Sequence, residues 1–214
     1  MRGLIKVLGE CFITFGLVVL LFVTYELWGT GRYTAAHQET LTEQLDQKWS
    51  KPAESHVTTE KVKLGDGLAL IRVPRFGKDY KFVIVEGTTP ADLRRGPGHY
   101  ARTALPGQVG NFVVSGHRTT YSAPFNKADR LRAGDEILID TKKTQYVYKV
   151  TKLQIVAPTR VEVTAPVPLR PGKKPKKKLI TLTTCHPKYS AAQRLIVFGE
   201  LDRQLPRVSG GSQK

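Results

Sequence analysis

Two cysteines and one methionine are all the sulfur in this chain of 214 residues. Cys11 lies inside a long apolar run, so a disulfide with Cys185 is geometrically excluded once the chain is threaded, and no disulfide framework can hold the fold. Zinc is poorly served as well. A site built from Cys185, His186, His117 and His99 lacks the paired ligands at short spacing that structural zinc takes. Carboxylates are also scarce, with 18 acidic against 34 basic residues, a net charge of +16 and a pI near 10.0. Such a surface attracts polyanions, whether nucleic acid, lipid headgroups or wall polymers, and composition alone does not choose among them. No internal repeat is visible, and no low-complexity tract follows Leu68, which argues for one globular unit rather than a repeat array or a disordered chain.

What is present first is a membrane signal. Arg2 and Lys6 precede a run from Val7 to Trp28 interrupted only by Glu10 and Glu26. About 22 residues rise about 33 Å as a helix, enough to cross a hydrocarbon core of about 30 Å. The basic residues before the run place the N-terminus in the cytoplasm and the rest outside, with Tyr25 and Trp28 at the outer interface. No small-x-small site follows, so an uncleaved anchor is expected over residues 1–29. An outside location disfavours nucleic acid as the partner. Residues 30–67 read as an extracytoplasmic stalk and linker, with a juxtamembrane helix from Thr34 to Trp49 and a structureless stretch from Lys51 to Gly67 that stands the catalytic unit off the membrane.

From Leu68 the pattern changes to short β-rich runs separated by Gly and Pro. Strands are expected over 68–73, 81–85, 111–115, 136–140, 145–156, 178–184 and 195–201, a number that suits a closed barrel. Brief helical turns are expected at Pro90–Arg95 and within Pro124–Leu131. The domain is placed at 68–203, with a tail over 204–214. The segment RPGKKPKKK at 170–178 is a loop, because proline removes ladder donors and like charges repel; it is either a solvated turn or a contact for anionic wall or lipid.

The chemistry is concentrated at strand ends. In KLITLTTC, alternation sends Ile180 and Leu182 to the core and carries Thr181, Thr183 and Cys185 on the polar face. A free thiol is only a few per cent ionised at neutral pH and needs a proton-transfer partner. His37 and His56 lie in the stalk and linker, and His186 points away from Cys185 as its strand neighbour. His117, closing GNFVVSGHR, is the best placed, and His99 in GPGHY is the alternative. Arg194 opens RLIVFGEL nine residues after Cys185. A hairpin could fold it back to the thiol as an anion-stabilising group, although a solvated charge is the simpler reading of an arginine at a strand start.

Taken together, GNFVVSGHR, TLTTC and the arginine of AAQRLIVFGEL resemble the three signature segments of sortases. The resemblance runs from about Leu68 to Leu201 and includes IRVPRFG and ALPGQVGN, while YELWGT is similar to class E sortases of high-GC Gram-positive bacteria. It implies a mainly β protein, a closed eight-stranded barrel with short helices, preceded by one transmembrane helix. It also implies a membrane-anchored cysteine transpeptidase in which Cys185 is the nucleophile, His117 the acid/base and Arg194 the oxyanion and substrate holder, with Thr183 and Thr184 lining the groove. Implied partners are proteins bearing a C-terminal sorting signal of the LAxTG or LPxTG kind, cut between Thr and Gly, and an amine of a peptidoglycan precursor. Some class A sortases are activated by calcium near the β6/β7 loop. Here the matching region, 157–177, holds Glu162 as its one acid, so no metal or other cofactor is expected. The rival readings are a basic wall- or membrane-binding module without catalysis and an L,D-transpeptidase. The latter family has SHGC before its cysteine where this chain has LTTC.

Overall fold

The computed structural model describes residues 2–50 and 62–207, apart from the side chains of Leu27 and Trp28. Most of the expected linker and the end of the tail therefore lie outside the described residues. Eight strands close into a barrel in the order β1-β2-β3-β4-β7-β8-β6-β5. These are β1 (Gly67–Arg72), β2 (Lys81–Glu86), β3 (Gly98–His99), β4 (Gly110–Ser115), β5 (Glu136–Asp140), β6 (Thr144–Val156), β7 (Lys178–His186) and β8 (Gln193–Pro206). Closure removes the open edges that would otherwise pair with other chains. Two neighbour pairs, β2/β3 and β4/β7, are parallel, and the others are antiparallel.

The core follows from period-2 alternation. Ile71, Phe112, Val114, Ile137, Ile139, Tyr148, Ile180, Leu182 and Val197 fill the barrel interior with almost no exposure. Each such aliphatic side chain contributes about 1.5–3 kcal/mol on burial. Tyr148 enters this core because its hydroxyl has a partner, accepting the Gly107 N–H at 2.8 Å, and burial pushes its phenol up to about 12. The opposite face of β7 and β8 is covered too. The connection after β6 forms a 3-10 turn at Val161–Thr164 and packs Val163 on Ile196 and Phe198. Asn111 fixes that connection by donating from Nδ2 to the carbonyls of Val163 (3.1 Å) and Ala165 (3.0 Å) while accepting from Thr181 Oγ1 (2.8 Å). The face of β7 that reads as polar is thus largely buried, with Thr181 at 0% and Thr183 at 6% exposure.

Helix α1 (Arg2–Thr24) is long and apolar enough to cross a membrane, and none of its residues is buried. A π-helical turn, Tyr25–Gly29, joins it to α2 (Thr30–Ser50). Rather than standing away as a stalk, α2 lies along the barrel. Leu41 and Leu45 are buried against Val83 and Val85, and Trp49 packs beside them. Polar contacts set the register. Because β3 is only two residues long, β2 has an unpaired edge at Val83, and the Gln38 amide fills it like a peptide unit. Its Nε2 donates to the Val83 carbonyl at 3.0 Å and to the Arg95 carbonyl at 2.8 Å, and its Oε1 accepts the Val83 N–H at 2.6 Å.

Candidate active site

Two adjacent parallel strands carry the chemistry to one end of the barrel. β4 and β7 run in register from Gly110/Lys178 to Ser115/Thr183, and one further contact extends the pairing, Gly116 N–H to the Thr183 carbonyl at 3.1 Å. Beyond this contact the two strands lead on to His117 and to Cys185, which therefore lie at the same end of the pair. Thr184 locks the junction by donating its hydroxyl to the Gly116 carbonyl at 2.7 Å. It shares the interior face with Ile180 and Leu182, so it acts on the strand ends from below rather than from the groove. Thr183 lies on the face of Cys185.

On the other side of β7, β8 pairs antiparallel with Cys185 directly opposite Arg194. Directly opposed residues project from the same face with Cβ atoms about 4.5–5.5 Å apart. The guanidinium does not reach toward the thiol here. Its Nη1 donates to the carbonyls of Ala191 (2.9 Å) and Gln193 (3.0 Å). Cys185 is half-buried. The three residues expected at the site are therefore brought to one barrel end, with Arg194 folded onto its own loop.

The two expected histidines have contrasting surroundings. His99 is 1% exposed, with Nδ1 against Glu86 Oε2 at 2.7 Å and Nε2 against Thr103 Oγ1 at 2.9 Å. It is a held core residue on β3, and the structure does not bring it to Cys185. The imidazole of His117 has no hydrogen bond among the described residues. Its neighbour is the Tyr121 ring, with centroids 4.9 Å apart and planes at 39°. Burial, and then the positive charge of Arg94, hold the His117 imidazole below its ordinary value. Arg94 is delivered by α3 (Pro90–Arg95), which starts on a capping box. The Asp92 N–H donates to Thr89 Oγ1 and the Thr89 N–H to Asp92 Oδ2.

One participant was missed in the sequence. Arg118 is 3% exposed and pairs through Nη2 with Asp129 Oδ1 at 3.1 Å. Its Nε and Nη1 are buried without a partner among the described residues. Burial makes this guanidinium release its proton more readily than usual, while Asp129 and Cys185 oppose that effect. A fixed cation therefore lies within electrostatic range of the thiol. Its position immediately after His117 was the available signal. The loop after β7 closes the site through Lys188, whose Nζ donates to Asn126 Oδ1 at 3.1 Å, while Asn126 Nδ2 donates to the Arg118 carbonyl at 3.0 Å. A separate groove of about 310 Å³ between α2 and β1–β2, lined by Glu39, Glu43, Asp46 and Phe82 among others, lies away from these strand ends.

A half-buried thiol, an imidazole just past the end of the adjacent strand and three arginines nearby can form and break a thioester. Residues 71–202 match the sortase domain model. Sortase SrtE1 of Streptomyces coelicolor is 37% identical over 213 residues, which is 96% of this chain and 59% of the relative. This chain thus spans under two thirds of that relative's length. Sortase SrtE2 of the same organism is 34% identical over 209 residues, 93% of this chain and 82% of the relative. The structure of sortase E from Streptomyces avermitilis superimposes with a TM-score of 0.63 at 39% identity, covering 71% of this chain and 97% of that one. The barrel, the strand-end constellation and these matches agree: the chain belongs to the sortase family, and the three relatives just compared are of class E.

Proposed function

We propose that the protein is a membrane-anchored cysteine transpeptidase that cleaves a C-terminal sorting signal of the LAxTG or LPxTG kind between Thr and Gly and joins the new carboxyl end to a cell-wall amine. The observation that carries this reading is the pairing of Cys185 with Arg194 across β7/β8, beside the β4 end that bears His117. Cys185 Sγ, as thiolate with its proton on His117 in the minority form that reacts, attacks the Thr carbonyl carbon. The carbonyl oxygen takes up the negative charge, and Arg194, released from its loop carbonyls, stabilises it. The Thr–Gly C–N bond then breaks as His117 gives its proton to the leaving Gly nitrogen. In the second half His117 takes a proton from the incoming amine, whose nitrogen attacks the thioester. The C–S bond breaks and the thiolate is restored. Thr183, on the face of Cys185, borders the groove in this reading, whereas Thr184 supports the strand ends from beneath.

Helix α1 is the anchor in this scheme, with Arg2 and Lys6 on the cytoplasmic side and the barrel outside. The reaction is independent of calcium, because the connection between β6 and β7 carries Glu162 as its one carboxylate. Two fluorogenic peptides, one with LAxTG and one with LPxTG, offered to the full chain and to Cys185→Ala in detergent micelles, test the reading. Cysteine-dependent cleavage, with a glycine-type amine found on the product by mass spectrometry and rates unchanged by calcium or chelator, is the expected result. A folded protein with a titratable thiol that cuts neither peptide would leave a basic wall-binding module as the better account.

A further inference from the structure

The histidine at the site is oriented from outside the barrel. Resting on the reading of His117 as the acid/base group, we propose that the juxtamembrane helix α2 is part of the active site: it anchors the loop 117–123 so that Tyr121, a positioning residue, fixes the His117 imidazole. His99 shows what a histidine held by hydrogen bonds looks like, with partners on both ring nitrogens. His117 has none among the described residues, and the Tyr121 ring stands against it. Whatever sets the place of Tyr121 therefore sets the imidazole.

That place is an unusual one. Tyr121, Ser122 and Ala123 take φ values of 52°, 59° and 43° in succession, a left-handed run that side-chain-bearing residues adopt only when surroundings impose it. Inside the loop, Ala123 N–H donates to the Thr120 carbonyl at 2.8 Å and Phe125 N–H to the His117 carbonyl at 3.1 Å. Arg118 in the same loop is held by Asn126 and Asp129, and the holds on Tyr121 and Ser122 come from α2. Tyr121 N–H donates to Thr30 Oγ1 at 3.3 Å, and Ser122 Oγ donates to the Gly31 carbonyl at 3.0 Å. Thr30 is 3% exposed, and its hydroxyl donates in turn to the Glu26 carbonyl at 2.7 Å, in the turn that leads back to α1. One hydroxyl thus links the end of the apolar segment to the loop beside the imidazole. A second hold passes through Arg94, whose guanidinium carbon lies 5.8 Å from the Tyr121 ring centroid and whose carbonyl accepts Thr34 Oγ1 from α2 at 2.7 Å.

The test uses the full chain in micelles, with Tyr121→Ala, Tyr121→Phe and Thr30→Val. Displacement of a catalytic group by about 1 Å costs up to about 100-fold in rate. Accordingly kcat for the amine-trapped product falls at least about tenfold in Tyr121→Ala, with KM within about twofold, and Tyr121→Phe, which keeps the ring, restores it. Thr30→Val, remote from the barrel core, lowers kcat in the same direction. In Tyr121→Ala the NMR titration of the His117 ring moves up toward the ordinary histidine value, because the ring becomes more hydrated. A wild-type enzyme that cleaves in a Cys185-dependent way, with Tyr121→Ala and Thr30→Val at its kcat and the His117 titration unmoved, overturns the positioning role and leaves the function intact. A wild-type chain with no cleavage overturns the function and the role with it. Should Tyr121→Ala not fold, Thr30→Val decides: a normal kcat refutes the proposal.

Discussion

Replacing Gly116 with alanine should damage the site more than the fold. A Cβ built at Gly116 falls 2.7 Å from Phe125 Cδ2, 2.9 Å from Cε2 and 3.2 Å from Cγ. Carbon pairs are comfortable at about 3.5–4.0 Å, so the nearest contact is about 0.8 Å too short. Phe125 is fully buried in the core, so its ring can yield only by disturbing its neighbours. Gly116 itself is tied to β7 on both sides, by its N–H to Thr183 and by its carbonyl to Thr184. The strain must move the end of β4, which carries His117. Overpacking of this kind costs about 1–3 kcal/mol, and each kcal/mol lowers Tm by about 2–4 °C in a chain of this size. A shift of about 1 Å at His117 costs up to about 100-fold in kcat/KM. Melting curves and peptide-cleavage kinetics read the two effects separately. The double substitution Gly116→Ala with Phe125→Leu opens the space and should recover part of the activity. If Gly116→Ala keeps wild-type kcat/KM and Tm, the geometry assigned to this junction is wrong.

Thr184→Val removes the hydroxyl that ties β7 to the Gly116 carbonyl and should cost about 0.5–1.5 kcal/mol in chemical denaturation, with a measurable fall in kcat. His99→Ala removes the ring nitrogen that partners the buried Glu86 carboxylate and should cost about 1–3 kcal/mol, read in the melting temperature. His117→Ala, by contrast, should abolish turnover with little change in Tm. Because the folded His117 imidazole is held below its ordinary value, the unfolded chain takes up that proton first as pH falls. The stability is fully present above about pH 6.5 and drains away as pH drops toward the folded value. Denaturation midpoints at several pH values should therefore fall less steeply for His117→Gln than for the wild type.

Most of the barrel could be read from the chain because its strands alternate or run apolar between Gly and Pro. Glu136–Asp140 is observed with the expected bounds, and Thr144–Val156 differs by one residue. Gly98–His99 could not be found, since two residues carry no periodicity and pair only because β2 and β4 flank them. The docking of α2 was also hidden. Its apolar signal is Leu41, Leu45 and Trp49, spaced four apart on one face, and the decisive contact is a glutamine amide that completes a strand edge. Alternation identified the side of β7 that carries Cys185. It could not reveal that Thr181 on that side meets a connection that packs back through Asn111, or that Thr183 is buried as well. Spacing left Arg194 between a hairpin return to the thiol and a solvated charge; the β7/β8 pairing brings it opposite Cys185, while the direction of its guanidinium depends on local carbonyls that spacing does not encode.

The parallel pairing of β4 with β7 also determines when the protein can become reactive. During synthesis His117 leaves the ribosome well before Cys185, and Arg194 follows on the last strand. Cys185 meets Arg194 across the local β7/β8 hairpin, but His117 joins them only when β7 pairs with the distant β4. Contacts between segments so distant in sequence form late, after most of the loop-closure entropy has been met. No nascent or truncated chain ending before β8 can assemble the thiol, imidazole and guanidinium, so the topology delays reactivity until the barrel has closed.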